Sequence, residues 1–416
     1  MKAAILAAGV GKRMQPLTRT LPKPLIPVAG RPFLDHVLES LKKANLKEII
    51  LVVGHLKDQI IERYGDGSDY GIEISYVEQK DQRGTADAIS CTEFDDSFLV
   101  INGDVYCKSG SLKKIAKNHE NKEATVTIGA YRVKNASSYG VIRTENDKVI
   151  EITEKPRNTY NQLINAGIYV FEPDIYRAIE ETPISKRNEK EITTSIKFLI
   201  NEGRLVTFSE LGSWTHIGKP WDLLTANERA LKNIDSKRNG EVESGACIKN
   251  NVTIKEGAIV RSGAYIEGPV YIGEDSDIGP NCHIRPYTGI GKKVRIGNAV
   301  EVKNSIIMNG THAAHHTYIG DSVIGRCCNF GAGTKIGNLR LDGENVTMTV
   351  KGNSVDTGRR KLGTVFGDEV QTGLNSMINP GVKIGPNSTV GPGVLLSKDL
   401  PPNSDILVKQ GKERKR

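Results

Sequence analysis

The sequence predicts an α/β domain with a mostly parallel sheet, followed by a parallel β-helix built from six-residue repeats. Three observations predict it. Short apolar strand-like runs alternate with helix-like runs over the first 230 residues, the rhythm of a sheet covered by helices on both faces. From Ile254 to Met308 every sixth residue is apolar, ten positions in succession, a period that fits neither an α-helix nor an ordinary meander. Glycine is frequent, 43 of 416 residues, while aromatics are 6%, a composition of tight turns and small stacked side chains.

Length and composition bound the rest. At 416 residues the chain is long enough for two or three domains, and 38% hydrophobic with 25% charged residues excludes a disordered or fibrous chain. The sequence has no apolar run of membrane-spanning length, and Met1-Lys2 leads straight into a strand-like run. The expectation is a cytoplasmic protein with neither membrane span nor signal peptide. A net charge of +8 without a concentrated basic face points to a small anionic ligand rather than nucleic acid. The charge run at 412–416 reads as a solvated end. Six cysteines, with no CxxC spacing, read as reduced structural thiols.

In the first half, 3–7, 48–53 and 98–101 read as strands, and 36–43 and 57–63 as helices. Ligands of such sheets bind beyond the carboxyl ends of the strands, where Gly9, Gly11 and Asn102-Gly103-Asp104 fall. A helix at 222–237 runs into a polar linker, giving domains at 1–230 and 246–400, a connection at 231–245 and a tail at 401–416. In the second half each inward residue is preceded two positions earlier by a small or β-branched one, as at Ala258, Ala264, Cys282 and Val294. Glycine often follows it, as at Gly273, Gly279, Gly291 and Gly297. The phase resumes at Tyr318, Ile324, Phe330 and Ile336, and again from Phe366 to Leu396. The interruptions at 309–317 and 337–365 are expected to be loops leaving the stack, the places where function concentrates.

The first candidate site follows the first strand. Glycines there let the backbone approach phosphate oxygens, and Arg13 and Lys23 add fixed positive charge. No GxxxxGK[ST] is present, which excludes a P-loop. The full run, G-x-G-x-R-M-x-P-L-T at 9–18 followed by Pro22-Lys23-Pro24, resembles the signature of sugar-1-phosphate nucleotidylyltransferases. The resemblance extends over 1–230 and implies a Rossmann-like nucleotidyltransferase domain.

By that resemblance Leu6, Ala7, Gly9, Gly11, Arg13, Lys23, Gln79, Gly84 and Thr85 bind the nucleotide, with Arg13 and Lys23 catalytic. Asn102, Gly140, Glu154 and Asn165 bind the sugar phosphate, and Tyr139 belongs to the same sugar-binding elements. Asp104 binds Mg²⁺. One departure stands out: Trp214-Thr215-His216-Ile217-Gly218 carries histidine where the family commonly has W-x-D-x-G. His216 reads either as a metal ligand, better suited to Mn²⁺ or Co²⁺, or as a hydrogen-bonding residue outside the ion's first shell.

The second candidate site lies on the repeats. Hexapeptide β-helices are three-sided, so Arg285 and Lys303, eighteen residues apart, stack on one face about 4.8 Å apart and invite a phosphate. His312, His315, His316, Cys327 and Cys328 suggest zinc, but adjacent strand residues face opposite ways, which disfavours it. Arg285-Pro286, Val300-Glu301-Val302-Lys303, His315-His316-Thr317-Tyr318 and Asn329-Phe330-Gly331-Ala332-Gly333-Thr334 resemble the acetyltransferase half of bifunctional GlmU-type proteins. That likeness covers about 245–400.

It implies a left-handed parallel β-helix acting on acetyl-CoA and an amino-sugar 1-phosphate. His315 would be the general base; Arg285, Lys303, Tyr318, Asn329 and Lys361 would bind the sugar phosphate, and Ala332 the acetyl-CoA. Leu374 stands where the bacterial pattern has a CoA-contacting serine, and the insertion at 337–365 with Gly358-Arg359-Arg360-Lys361 looks more like the archaeal relatives. UTP, or dTTP, is the implied nucleotide and a homotrimer the implied assembly. Two alternatives are a single-activity nucleotidylyltransferase whose solenoid only oligomerises or regulates, and a non-catalytic scaffold like translation-factor exchange subunits.

Overall fold

The computed structural model describes residues 1–156 and 160–409. They form two compact units: Met1–Val10, Pro22–Leu25 and Phe33–His216 make the first, and Gly11–Leu21, Ile26–Pro32 and the chain from Ile217 onward the second. Two short segments near the N-terminus thus belong to the second unit. Among the described residues no helix is long and apolar enough to cross a membrane. All six cysteines are free thiols.

The first unit is built on a nine-stranded sheet. Its order is Glu73–Glu78, Glu48–Val53, Lys2–Leu6, Phe98–Asn102, Tyr160–Phe171, Val126–Asn135, Val206–Glu210, Lys148–Glu154 and Gly140–Glu145. The first four strands are mutually parallel, as expected. Beyond them the sheet is mixed, which corrects the mostly parallel reading. Tyr160–Phe171 runs antiparallel to both neighbours, and Gly140–Glu145 returns on Lys148–Glu154 as a hairpin. Asn146 and Asp147 both take positive φ in its two-residue turn, the geometry that tight hairpins require.

The helix Phe33–Lys43 buries Phe33, Leu34, Val37, Leu38 and Leu41, the spacing of one apolar helical stripe. Phe98, Val126, Ile128, Phe171 and Ile196 lie in the core on one side of the sheet. Leu6 pairs with Asn102 at the carboxyl ends of adjacent strands. Gly103 follows, its N–H bonded to the Leu6 carbonyl at 2.9 Å. A side chain there would place a carbon 2.8 Å from that carbonyl oxygen, so only glycine lets the chain pass to Asp104.

The second unit is a coil of three parallel sheets with nine, eight and seven strands; consecutive strands belong to different sheets and pair one coil on. Val252, Val270 and Thr288 lie in register, eighteen residues per coil. Ile254, Val260, Ile266, Ile272, Ile278, Ile284, Ile290 and Ile296 fill the interior. The phase then slips. Arg295 pairs with His312, Glu301 with Tyr318 and Ile306 with Val323, seventeen residues apart. Ile307, Ala313 and Ile319 therefore fill the core cluster, in place of Met308, where the count of six ended, and of Tyr318, where it was expected to resume.

The stretch 309–317 is accordingly no excursion, because His312–His315 is a strand of the stack. One residue is lost between Val302 and Ile307 and a second between Ile319 and Ile324, and the coil closes without a loop. The second interruption is an excursion: Asn329 pairs with Gln371, and the insertion carries a hairpin of Thr347–Val350 on Asn353–Asp356 with Val346 and Met348 buried. The connection also differs from expectation. The helix ends earlier, spanning Pro220–Leu231; Arg238 already bridges Ile254, and Glu241–Val242 pairs with Ile259–Val260. At the far end Asp405–Ile406, placed in the tail, pairs with Thr389–Val390 as a last rung. The charge run at 412–416 lies outside the described residues.

Candidate functional sites

In the first unit the strand ends gather charge around Asp104. The Lys23 ammonium donates to Asp104 Oδ2, and His216 Nε2 lies 3.5 Å from the same oxygen. The short pairing of Thr215–His216 with Val105–Tyr106 sets that approach. The imidazole stacks on Trp214, centroids 5.6 Å apart at 16°, while Trp214 Nε1 donates to the Ala166 carbonyl at 2.9 Å. Tyr139 Oη is 3.4 Å from His216 Nδ1. Burial alone would push the Asp104 carboxyl up, but the neighbouring Lys23 ammonium and His216 imidazole outweigh it and hold the group well below the usual carboxylate range.

Asp104 is therefore a fixed anion. Nearby Asn102 Oδ1 is buried and has no hydrogen-bond partner among the described residues, an unusual state for a buried amide oxygen. A carboxylate and an unsatisfied amide oxygen on one strand end are the donor chemistry of a hard divalent cation. Gly167 keeps φ at +73°, and a Cβ there would sit 2.5 Å from Asn102 Nδ2. The glycine is what leaves room for the Asn102 side chain.

Three expected sugar-binding residues converge. A Cβ at Gly140 would lie 3.2 Å from Glu154 Oε2 and 3.6 Å from Asn165 Cβ. Asn165 is held by donation to Tyr169 Oη at 2.7 Å and by accepting the Gly167 N–H at 3.0 Å. Glu154 Oε1 pairs with Lys155 and with Arg187, each at 3.3 Å. Arg187 was not singled out from the sequence; it lies thirty-three residues from Glu154 and carries no motif.

Gln79 is buried, and its amide nitrogen donates to the Gly84 carbonyl at 3.1 Å and to Asp87 Oδ2 at 2.7 Å. It braces the turn into the helix Thr85–Ser90. Thr85 Oγ1 accepts the Ile192 N–H at 3.3 Å. Leu6 ends the first strand and Ala7 follows it, and Gly9 has open space where a side chain would be. Gly11 takes the left-handed conformation at φ 65°, and Arg13 sits on the following single turn Lys12–Met14. Both residues belong to the second unit.

On the coil, Arg285 and Lys303 occupy equivalent corners. The Arg285 N–H bonds the Val302 carbonyl at 2.8 Å, continuing the register of His283 with Glu301. Each cation has a carboxylate partner: Arg285 Nη1 donates to Glu301 at 3.0 Å, and Lys303 Nζ to Asp321 at 2.9 Å. Asp321 is almost fully buried and also accepts from Asn304 at 2.8 Å and Asn338 at 2.6 Å. Asn338 donates to Tyr318 Oη at 3.1 Å. Burial, then the Asp321 charge, raise the Tyr318 hydroxyl above its ordinary value.

Leu339 bridges Lys361, so the lysine joins this end of the sheet through the chain next to Asn338. Asp321 and Asn338, which join Lys303 to Tyr318, were missed in the sequence. The available signal was that Lys303 pairs with Gly320, one residue before Asp321.

His315 is exposed, with its carbonyl fixed by the Thr317 hydroxyl at 2.9 Å and the Gly333 N–H at 3.3 Å. Asn329 stands opposite His312, in the sheet of His315 and not in that of Tyr318. The Ala332 carbonyl accepts the Asn375 N–H at 2.9 Å, beside the exposed Leu374. Among the described residues no group of three or more His, Cys, Asp or Glu side chains is placed to hold a metal ion. Cys327 is exposed while Cys328 points into the core, its thiol pushed up to about 12 by burial.

Comparison with known proteins gives these sites a family. Residues 2–233 match the family model described as nucleotidyl transferase, and 266–373 the one described as the GMPPB C-terminal domain. The chain is 39% identical to the bifunctional protein GlmU of Methanocaldococcus jannaschii, over 97% of both chains. It is 42% identical to the GlmU of Methanococcus maripaludis strain C7, over 98% of both. A bifunctional sugar-1-phosphate nucleotidylyltransferase/acetyltransferase of Sulfurisphaera tokodaii is 42% identical, over 96% of this chain and 98% of that one.

A solved structure of a putative glucose-1-phosphate thymidylyltransferase from Bacillus anthracis superposes with a TM-score of 0.52 at 29% identity, covering 57% of this chain and 98% of that one. With nearly its whole length matched at about 40% identity, the chain belongs to the family of bifunctional GlmU-type proteins.

Proposed function

We propose that the protein makes UDP-N-acetylglucosamine in two steps at two sites. The second unit acetylates glucosamine-1-phosphate from acetyl-CoA. The site around Asp104 then transfers a uridylyl group from UTP to N-acetylglucosamine-1-phosphate and releases pyrophosphate. The observation that carries this reading is the end-to-end likeness to bifunctional relatives, one of which is named as a sugar-1-phosphate nucleotidylyltransferase/acetyltransferase. The domain roles follow as 1–230 for nucleotidyl transfer and 246–400 for acetyl transfer. The coil is read as left-handed, and a homotrimer is the assembly expected of it.

In the first reaction the sugar amine attacks the thioester carbonyl. A C–N bond forms and the C–S bond breaks; His315 takes the amine proton and passes it to the departing sulfur, so that CoA leaves as the thiol. Arg285, Lys303 and Lys361 hold the sugar phosphate, Tyr318 and Asn329 orient the ring, and the chain at Ala332 borders the acetyl-CoA. In the second reaction a phosphate oxygen of the sugar attacks the α-phosphorus in line, forming one P–O bond and breaking the bond to the β-phosphate. Positioning and charge neutralisation supply most of the rate.

Arg13 cradles the leaving phosphates and Lys23 the transferring group. Gln79, Gly84 and Thr85 hold base and ribose, and Gly140, Glu154 and Asn165 hold the sugar. Asp104, with Asn102 beside it, would hold Mg²⁺, which when bound neutralises triphosphate charge. His216 on the same carboxylate favours tolerance of Mn²⁺ or Co²⁺.

The test follows free thiol from acetyl-CoA and glucosamine-1-phosphate, with uridylyl transfer assayed on the same samples. Thiol release that falls at least about a hundredfold in His315→Ala, with uridylyl transfer intact, supports the two-site reading. A wild type that forms UDP-sugar without thiol release makes the coil an assembly module.

A further inference from the structure

The signature segment Gly11–Leu21 carries Arg13, and it belongs to the same compact unit as the coil. Two residues of the coil grip it. Arg326 follows the strand Val323–Ile324 at a corner, and Asp368 stands at the corner one coil on, after Val365–Phe366. Asp368 Oδ1 accepts the Arg326 N–H at 2.7 Å, and its Oδ2 accepts Arg326 Nε at 2.8 Å. The guanidinium is thereby fixed in one orientation. From it, Nη2 reaches the Thr20 carbonyl at 3.1 Å, while the Thr20 hydroxyl donates to Asp368 Oδ2 at 2.8 Å. Asp368 is buried, with 6% of its surface exposed. Arg326 is half-buried, and the burial of the Asp368 carboxylate costs desolvation that its charge-assisted hydrogen bonds offset.

Thr20 is the far anchor of a braced turn. Thr18 Oγ1 donates to the Gly11 carbonyl at 2.9 Å, the Met14 N–H to the same carbonyl at 2.7 Å, and the Leu21 N–H to the Leu17 carbonyl at 3.3 Å. Met14 and Leu17 are buried beneath it. Arg13 is thus held at one end by the left-handed Gly11 and at the other by the Arg326–Asp368 pair. A second grip follows in sequence. The Ala29 N–H donates to Asn227 Oδ1 at 2.8 Å, and Asn227 Nδ2 donates to the Tyr287 carbonyl at 2.8 Å. Gly30 lies flat on the Tyr271 ring, where a Cβ would come within 2.0 Å.

We propose that Arg326 and Asp368 are positioning residues for nucleotidyl transfer, setting Arg13 through Thr20 although they lie on the coil assigned to acetyl transfer. The proposal rests on the reading of the Arg13 motif as the nucleotidyl-transfer signature. A misplacement of about 1 Å at a phosphate-cradling group can cost up to about a hundredfold in rate. Arg326→Ala is expected to lower kcat of UDP-sugar formation about tenfold, raise KM for UTP, and leave acetyl transfer at the wild-type rate.

The paired variants Thr20→Val and Thr20→Ser leave the coil untouched. The first should lower kcat about threefold, and the second, which keeps the hydroxyl, should restore it. The same full-length preparations are assayed for both reactions and for Tm. Loss confined to nucleotidyl transfer, with rescue by Thr20→Ser, supports the proposal. An unchanged nucleotidyl rate in Arg326→Ala, or loss of both activities in step with Tm, overturns it. A wild type that forms no nucleotide sugar overturns the functional reading, and the positioning role with it.

Discussion

The two sites hold their charges in opposite ways. Around Asp104 one half-buried carboxylate collects a lysine and a histidine from separate parts of the chain. On the coil two cations, Arg285 and Lys303, sit at repeating corners and each leans on its own carboxylate. The first arrangement creates a single fixed anion suited to a cation. The second presents stacked cations, each already engaged by its own carboxylate, Glu301 or Asp321. An α/β sheet makes a site by convergence of strand ends, and a solenoid makes one by repetition.

The largest expected effect tests the convergent site. Asp104→Asn should reduce nucleotidyl transfer at least about a hundredfold, with acetyl transfer unchanged; a loss below tenfold would move the essential anion elsewhere. The second concerns the best-buried pair of the coil. Asp321→Ala strands the Lys303 ammonium, whose side chain is only 21% exposed, and frees Asn304 and Asn338. It should destabilise the second unit by about 3 kcal/mol in denaturant unfolding, the lower end of the range for breaking a buried pair. Stability equal to wild type would show that Lys303 finds another partner.

A smaller effect lies at the exposed pair. Glu301→Gln releases Arg285 and should lower KM for the amino-sugar 1-phosphate about two- to fourfold. A rise in KM would instead place Glu301 among the substrate contacts. The mildest test reads the register itself. Thiol alkylation near pH 8, followed by peptide mapping, should label exposed Cys327 and Cys247 well before Cys328 and Cys282, whose thiols burial pushes up to about 12. Equal labelling of Cys327 and Cys328 would contradict the burial of Cys328 at this corner of the coil.

Much of this was legible in the sequence, for physical reasons that differ between the halves. The repeat period and the eighteen-residue relation of Arg285 to Lys303 could be counted, because a stacked coil turns sequence spacing into spatial contact. The count failed at Ile306-Ile307-Met308, where three apolar residues in a row hid a one-residue slip. It also stopped too soon at the front. Ile248 and Val242 continue the six-residue phase backward from Ile254, and Glu241–Val242 is already a rung.

In the first unit the motif residues stood out, but their partners did not. Arg187 reaches Glu154, and His216 reaches Asp104, through strand pairing and loop packing that no local pattern encodes. The antiparallel course of Tyr160–Phe171 was equally hidden, since a buried strand reads the same in either direction. Least legible was the grip of Arg326 and Asp368 on Thr20, which joins residues more than three hundred positions apart.

The central claim is that two independent sites act in sequence on one molecule. The most direct test supplies glucosamine-1-phosphate, UTP and acetyl-CoA labelled in the acetyl group to the wild type, to Asp104→Asn, to His315→Ala, and to the two variants mixed. The account predicts labelled UDP-N-acetylglucosamine from the wild type, labelled N-acetylglucosamine-1-phosphate alone from Asp104→Asn, no labelled sugar from His315→Ala, and restoration of the labelled nucleotide sugar by the mixture. Failure of the mixture to restore it while each variant keeps its remaining activity, or loss of both activities in either variant, would contradict the account.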